Sequence, residues 1–264
     1  MMRVGQTAMW LLVAGLWVAM PLAPALAQSA AGSAPGVGAP TGGAPAAGSA
    51  AQPAQAGGVP PAVSAAAALP DLSSDVIAER VQAFYDGAKT FQAQFSQRYT
   101  IFAYNKKKES QGRVAFVKPG KMSWRYTSNG NRVVSDGKLL KVYDADSKQV
   151  YEQDMSKSAY PAALSFLLGE GKLKASFTLK KLSAETAAFK GGYVLVATPR
   201  EPTPAYQKMM LYVDGKTFQV RRVLMIDAQK NKNVFDFSEP RVNEVIAASE
   251  FAFSAPAGTQ IIKP

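Results

Sequence analysis

The sequence of 264 residues contains no cysteine and no histidine. The missing cysteine excludes disulfide bonds and thiol nucleophiles, and the missing histidine excludes the Ser–His and Cys–His pairs of many hydrolases. Zinc sites almost always use one of these two residues, so we expect no metal site. Carboxylate pairs such as Asp144 and Asp146 stand in predicted turns, where Asp is favoured for its own hydrogen bonds. We therefore predict a protein that has no catalytic residues, is not an enzyme and needs no cofactor.

Long hydrophobic runs are almost missing as well. The exception is residues 8–20, which are nearly all apolar and follow a short start that contains Arg3. A membrane span needs roughly 20 apolar residues, and this run is shorter. An A-x-A pattern that ends at Ala27 is typical of a secretory cleavage site. We interpret residues 1–27 as a signal peptide cleaved after Ala27, and the protein as exported.

Charge is absent from residues 28–70, which consist mainly of Ala, Gly and Pro. Such a segment has few large apolar side chains to bury, so it cannot offset the entropy lost on ordering. We predict a disordered linker. It either serves as a spacer or reflects only the composition of an Ala-rich genome.

The remaining residues, 71–264, are predicted to form one domain, which is long enough for a sizeable core. The whole sequence has 30 Lys and Arg against 19 Asp and Glu, a net charge of +11. Such a charge favours anionic partners, including membrane surfaces and acidic proteins. For an exported protein we expect no nucleic acid partner, and we expect a monomer.

The domain is predicted to begin with a helix. Ser73 or Ser74 can cap its start, and Gly87 can end it. Its apolar face is interrupted by Arg80 and otherwise consists of Val76, Ile77, Val81 and Phe84. A second, short apolar helix is predicted over residues 161–168, with Pro near its start and Gly after its end.

After the first helix, apolar and polar residues alternate, as expected for strands. The alternation is clearest in residues 91–99 and 121–126, and Asn129-Gly130 and Asp136-Gly137 are strong hairpin turns. Further strands are predicted over residues 114–116, 138–144, 149–153, 176–182, 193–198, 208–214, 219–227 and 233–238. Many antiparallel strands of even spacing predict a mainly β (α+β) fold, a barrel or a strongly curved sheet with helices.

One face of four predicted strands is apolar, because alternate residues of a strand share a face. Pattern alone favours an ordinary core. Two features favour a ligand cavity instead: methionine and aromatic side chains give an adaptable lining, and Lys118 shares a face with apolar residues, where a charge is costly without a partner. The predicted ligand-binding residues are Val114, Phe116, Met122, Trp124, Tyr126, Met209, Leu211, Phe235 and Phe237.

The order of these motifs resembles a family, the periplasmic outer-membrane lipoprotein carriers, LolA. The resemblance covers nearly all of residues 71–264. It is carried by F-Q-A-Q-F-S-Q at 91–97, by residues 112–124, by V-S-D-G-K at 134–138, by Tyr143 with Gln149-Val150, and by the tail at 251–262.

The resemblance implies an unclosed, strongly curved antiparallel β-barrel or half-barrel in the periplasm, with an N-terminal helix and a short helical lid. It implies acyl chains of lipoproteins as cargo, and as partners an inner-membrane ABC lipoprotein exporter and an outer-membrane lipoprotein receptor. Because the family's receptor is itself a lipoprotein, the absence of cysteine favours the carrier. A carrier or sensor of another amphiphile on the same fold remains an alternative, and a carboxylate-based lipid or glycan enzyme is less favoured.

The resemblance also implies a latch between lid and barrel. The family usually has an Arg directly before the Pro of the second strand, and this sequence has Lys118 there. A lysine keeps the charge but lacks the planar, five-donor fork of arginine. We predict that Lys118 donates to carbonyls of the lid helix or of a loop packed with it. The predicted lid residues are Pro161, Leu164, Phe166, Leu167 and Leu168.

Overall fold

The computed structural model describes residues 69–155, 171–183, 185–203 and 205–263. These residues form helix α1 (Ser74–Gly87), a short helix α2 (Leu173–Ser176) and twelve strands. The strands are β1 (Thr90–Ile101), β2 (Lys106–Val117), β3 (Lys121–Tyr126), β4 (Arg132–Asp136), β5 (Leu139–Asp144), β6 (Gln149–Asp154), β7 (Phe177–Leu182), β8 (Gly192–Pro199), β9 (Lys208–Asp214), β10 (Val220–Ile226), β11 (Lys232–Val242) and β12 (Gln260–Ile262).

All twelve strands belong to one sheet, in the order β12-β6-β5-β4-β3-β2-β1-β11-β10-β9-β8-β7. Sequential hairpins build β1 to β6 and β7 to β11, and the pairing of β11 with β1 joins these two halves. The two edge strands, β12 and β7, have no ladder between them, so the sheet is unclosed. The predicted mainly β, unclosed antiparallel fold is confirmed. The exception is β12, which pairs with β6 in parallel.

Helix α1 begins and ends close to the predicted residues. The Ser73 side chain accepts a hydrogen bond from the amide of Val76 at 3.3 Å, the usual way to satisfy a free amide at a helix start. The buried face was predicted incorrectly in part. It consists of Ile77, Ala78, Val81 and Tyr85, whereas Arg80 is exposed and lies 5.0 Å from the centre of the Phe218 ring.

The core lies between α1 and one face of the sheet, which we call the inner face. Buried side chains of α1 and of the central strands belong to a single apolar cluster. The cluster reaches beyond the predicted domain start, because Leu69 packs against it and the Tyr193 hydroxyl donates to the Pro70 carbonyl at 2.9 Å. Contacts with the domain therefore include Leu69 and Pro70, which precede the predicted boundary at residue 71.

The C-terminal segment covers part of the opposite face of the sheet. Phe251 is buried there, and Glu250 accepts a hydrogen bond of 2.7 Å from the Ser123 hydroxyl. Arg132 donates to the Ser123 hydroxyl and to the Glu250 carbonyl, both at 3.2 Å. These contacts explain why the small polar residue between Met122 and Trp124 is completely buried: its partner comes from the end of the chain.

Candidate functional site

The inner face of the sheet carries a cluster of aromatic rings around Trp124, which is completely buried. Its ring centre lies 5.1 Å from that of Phe95, 5.5 Å from Phe235, 6.0 Å from Phe116 and 6.2 Å from Phe237. The contacts to Phe95, Phe116 and Phe235 have T-shaped geometry, which aromatic pairs prefer to direct face-to-face stacking. The neighbouring strands β1 and β2 and the distant strand β11 thus place their rings around one indole.

The structure brings the nine predicted lining residues together on the inner face. The register pairs Val114 with Trp124 and Phe116 with Met122, which gives the hairpin of β2 and β3 a continuous apolar surface. Eight of the nine are buried and Phe237 is half-buried. They lie within one cluster, and whether they contact a ligand stays a prediction.

Sequence reasoning missed four residues of this surface. Phe95, Leu195, Val223 and Met225 are buried in the same cluster. Val223 pairs with Leu211 and Met225 with Met209 across strands β10 and β9. The signal was present: Phe95 belongs to the alternation in residues 91–99, and residues 223 and 225 share strand parity.

The indole Nε1 of Trp124 is buried and has no hydrogen-bond acceptor among the described residues. A buried donor without a partner costs about 1–3 kcal/mol, and such groups are uncommon in native structures. A carbonyl oxygen of a bound molecule would satisfy this donor at the centre of an otherwise apolar surface.

Lys118 is half-buried and connects the turn between β2 and β3 to helix α1. Its ammonium group donates to the carbonyl of Tyr85, one of the helix carbonyls without a partner in the α-helical ladder. Burial lowers the pKa of Lys118, and the nearby Asp86 carboxylate opposes that shift. The position identified from the family's arginine thus ties α1 to the sheet through a carbonyl at the end of the helix.

The predicted lid residues 161–168 lie outside the described residues, so their role stays a prediction. The described chain resumes at Gly171, where α1 holds it. Gln82 accepts a hydrogen bond of 2.9 Å from the amide of Leu173, and Lys172 donates to Asp86 at 2.9 Å. Hydrogen bonds from Lys172 and Gln82 lower the pKa of Asp86 below its ordinary value. The C-terminal end of helix α1 therefore anchors both Lys118 and the segment that leads into α2.

One polar pair interrupts the inner face near one end of the sheet. The Gln97 side-chain amide donates to the side-chain oxygen of Asn233 at 3.0 Å, and both residues are buried. Register places them close together, because Gln97 pairs with Phe235 and Tyr99 pairs with Asn233. The pair marks where the apolar surface gives way to the polar hairpin of β1 and β2.

These features define a class of protein: an unclosed β-sheet with an aromatic inner face and a helix tied across it. A family model described as "Outer membrane lipoprotein carrier protein LolA" matches residues 86–254, which is more than half of the chain. The chain belongs to this family.

Relatives with the same description span most of the chain. An outer-membrane lipoprotein carrier protein of Chromobacterium violaceum is 30% identical over 206 residues, which cover 76% of this chain and 93% of the relative. One of Methylibium petroleiphilum is 30% identical over 188 residues, 70% of this chain and 88% of the relative.

Solved structures give more distant matches. A LolA superfamily protein of Nitrosomonas europaea aligns with a TM-score of 0.39 and 15% identity, over 69% of this chain and 99% of its own. An uncharacterised conserved protein of Thermus thermophilus aligns with a TM-score of 0.44 and 13% identity, over 72% of this chain and 98% of its own. In the described residues no helix combines the length and the apolar character needed to span a membrane.

Proposed function

We propose that this protein carries lipoproteins by holding their acyl chains against the inner face of its unclosed sheet. The observation that carries the proposal is the aromatic surface around Trp124, on which one buried donor lacks a partner among the described residues. The rings offer apolar contact to the acyl chain, and the indole N–H offers a hydrogen bond to an ester or amide carbonyl of the lipoprotein. Membership in the lipoprotein carrier family supports the same function.

The proposed cargo matches the energetics of such a site. Removing an acyl chain of about 16 carbons from water gains on the order of 12 kcal/mol, at about 0.8 kcal/mol per methylene. A carrier must also release its cargo, so the surface must open. The ammonium group of Lys118 ties the C-terminal end of helix α1 to the turn between β2 and β3, and this contact can break without unfolding the sheet.

The proposed route of the lipoproteins follows from membership in the carrier family. Residues 1–27 have the pattern of a signal peptide, and the proposed location is the periplasm. There the protein receives lipoproteins from an inner-membrane ABC exporter and passes them to an outer-membrane receptor. The net charge of +11 fits partners with anionic surfaces.

The proposal is tested by fluorescence quenching. Trp124 is the only tryptophan after Trp17, so Trp10→Phe with Trp17→Phe leaves a single fluorophore at the centre of the aromatic surface. A triacylated peptide with bromine atoms on its acyl chains should quench this fluorescence, and the matching peptide without acyl chains should not. Equal fluorescence with both peptides contradicts acyl binding at this site. Mass spectrometry of lipids and proteins that co-purify from the exported fraction then identifies the cargo, including any other amphiphile.

A further inference from the structure

The hairpin of β1 and β2 extends past its neighbour on one side. β3 pairs with β2 from Gly112 to Val117, whereas residues 106–110 pair with β1. A short 3-10 turn, Phe102–Tyr104, closes the hairpin. On the other side β11 pairs with β1 as far as Thr100, so the turn stands at one end of the sheet, beside the turn between β10 and β11.

Two aromatic side chains of this turn face water. Phe102 is 58% exposed and Tyr104 is 70% exposed, and they are two of the four large exposed apolar side chains among the described residues. The turn is held in this form: the Phe102 amide donates to the Asn231 side chain at 2.9 Å, and Asn231 donates from its own amide to Asp227 at 2.8 Å. The turn between β10 and β11 thus supports the rings in an exposed position.

Lysines surround the two rings. Lys106, Lys107 and Lys108 begin β2, Lys230 lies in the turn between β10 and β11, and Lys232 begins β11. All five are exposed. Register places Lys107 and Lys232 on either side of Thr100, and the Lys230 ammonium lies 5.6 Å from the centre of the Phe102 ring.

The nearby carboxylates are already engaged. Glu109 forms an ion pair of 3.1 Å with Arg98. Asp227 accepts hydrogen bonds from the amides of Gln229 and Asn231. This end of the sheet therefore combines exposed aromatic rings with an excess of positive charge.

We propose that this end of the sheet docks the protein onto an anionic lipid bilayer. The basic-aromatic tip consists of Phe102, Tyr104, Lys106, Lys107, Lys108, Lys230 and Lys232. Aromatic side chains partition to the level of the lipid headgroups, and lysines near the surface are attracted by anionic lipids. Apolar contact and charge attraction together give reversible binding at the membrane surface.

The shape of the tip favours a bilayer over a protein partner. A stable protein interface buries roughly 800 Å² on each side, usually around well-packed central residues. The tip offers two exposed rings surrounded by five exposed lysines. A fluid lipid surface can accommodate them without a complementary pocket. The proposal concerns the outside of the protein and does not depend on which cargo binds inside.

The test measures partition of the full chain onto vesicles by flotation. The vesicles contain either phosphatidylcholine alone or phosphatidylcholine with phosphatidylglycerol. The tip variant is Lys106→Gln, Lys107→Gln, Lys108→Gln. Its control is Lys138→Gln, Lys190→Gln, Lys216→Gln, which removes the same charge from exposed lysines in turns at the opposite end of the sheet. All variants share residues 1–70, so any vesicle binding by that segment is the same in each.

Each lysine near an anionic surface contributes about fivefold in partition coefficient. The unmodified protein should prefer the anionic vesicles, and the tip variant should lose at least about tenfold of that binding, whereas the control variant should change by less than about twofold. Raising the salt concentration from about 0.01 M to about 1 M should weaken binding of the unmodified protein.

The rings are tested separately. Phe102→Ser with Tyr104→Ser should weaken binding to both kinds of vesicle, and Val245→Ser should not, although Val245 is 97% exposed. Lipids brominated along their chains should quench the tryptophan fluorescence of the Phe102→Trp variant more than that of the parent protein measured in parallel. Far-UV circular dichroism and melting temperature confirm that each variant folds.

Equal vesicle binding by the tip and control variants overturns the proposal. If the tip variant binds vesicles as the unmodified protein does but transfers cargo less well to an acidic protein, this result also overturns the proposal. It then assigns the tip to a protein partner. Binding of an acylated peptide without vesicles reports on the proposed carrier function alone. If the unmodified protein does not bind the acylated peptide, the carrier function is rejected and the docking result is unaffected.

Discussion

At the scale of single residues, two side chains determine what the inner face can do. Trp124 places in an apolar surface a donor that has no acceptor in the described part of the chain, which costs stability unless a ligand accepts the hydrogen bond. Lys118 donates to the Tyr85 carbonyl, and so links the sheet to the helix that crosses its inner face. Both residues stand on or beside the hairpin of β2 and β3, so one short piece of chain provides the contact for the cargo and the contact for closure.

Trp124→Phe should separate binding from stability. The smaller ring loses some packing but removes the unpartnered donor, so we expect a loss of about 1–2 kcal/mol in unfolding free energy, against about 3–5 kcal/mol for Trp124→Ala. Affinity for an ester-linked acyl probe should fall about tenfold, the value of one hydrogen bond. Urea unfolding and probe titration measure the two effects. An ether-linked probe of the same length serves as the control, and an equal loss of affinity for both probes would show that the indole donor is not used.

Lys118→Met should weaken the closure of helix α1. A hydrogen bond from a charged group contributes about 1.5–3 kcal/mol, and Lys118 is only half-buried, so we expect a loss of about 1 kcal/mol in unfolding free energy. Uptake of a fluorescent acyl probe should become faster, and Lys118→Arg should slow it because arginine offers more donors. Stopped-flow measurements compare the three proteins. Identical uptake in all of them would leave Lys118 without a role as a latch.

At the scale of elements, close contacts between neighbouring strands fix the aromatic cluster. Gly112 faces Phe95 across the hairpin of β1 and β2. A Cβ at this position would lie 2.0 Å from the Arg125 carbonyl oxygen and 2.9 Å from the Phe95 ring. Glycine is therefore needed for the ring of Phe95 to lie beside Trp124.

Gly112→Ala should destabilise the protein by about 2 kcal/mol or more, because backbone and ring must both move. Gly87→Ala provides the control, since nothing lies within 4 Å of a Cβ added there at the end of α1. That change should be neutral or slightly stabilising. Chemical unfolding of both variants tests the difference, and similar stabilities would mean that the hairpin adjusts freely around residue 112.

The Asp86 carboxylate at the end of α1 should make the stability of the protein depend on pH. Hydrogen bonds from Lys172 and Gln82 hold the pKa of Asp86 below its ordinary value of 3.8. A carboxylate with a lowered folded pKa stabilises above its unfolded pKa, and this contribution is lost as the pH falls through the folded pKa. Asp86→Asn should therefore flatten the decline of stability below about pH 4, and Lys172→Met should flatten it in part. An unchanged decline in both variants, measured by urea unfolding across this range, would contradict the assignment.

At the scale of the whole molecule, the folded domain includes more of the chain than composition suggests. Residues 28–70 were predicted as a linker because they lack charge and large apolar side chains. Leu69 nevertheless packs against the core, and Pro70 accepts a hydrogen bond from Tyr193. Composition places the domain boundary where charged residues begin, whereas contacts with the core depend on individual residues.

Deletion of residues 28–68 should leave the melting temperature and probe affinity unchanged. Deletion of residues 28–70 should lower the unfolding free energy by about 1–2 kcal/mol, through lost burial of Leu69 and the lost hydrogen bond. For a domain of this size that corresponds to a few degrees, at about 2–4 °C per kcal/mol. Calorimetry of the two shortened proteins checks the difference, and equal melting temperatures would mean that the contacts at Leu69 add nothing.

Much of the inner face followed from strand parity, because alternation is a local property. The period of two in residues 121–126 placed Met122, Trp124 and Tyr126 on one face, and the structure buries all three there. The same rule applied to residues 91–99 would have added Phe95. Parity could not predict which strands are neighbours, so the contact between Trp124 of β3 and Phe235 of β11 was not predictable from either strand alone.

The first helix, the hairpins and the family could be predicted from the sequence, because caps, turn residues and alternation act over a few neighbouring residues. Contacts between distant segments arise only in the tertiary structure. It joined the turn of β1 and β2 to the turn of β10 and β11, placed the Tyr85 carbonyl within reach of Lys118, and paired β12 in parallel with β6. Such contacts depend on how the sheet folds as a whole. The two partners are separated by many residues, and the sequence pattern around each one does not indicate which distant residue it will contact.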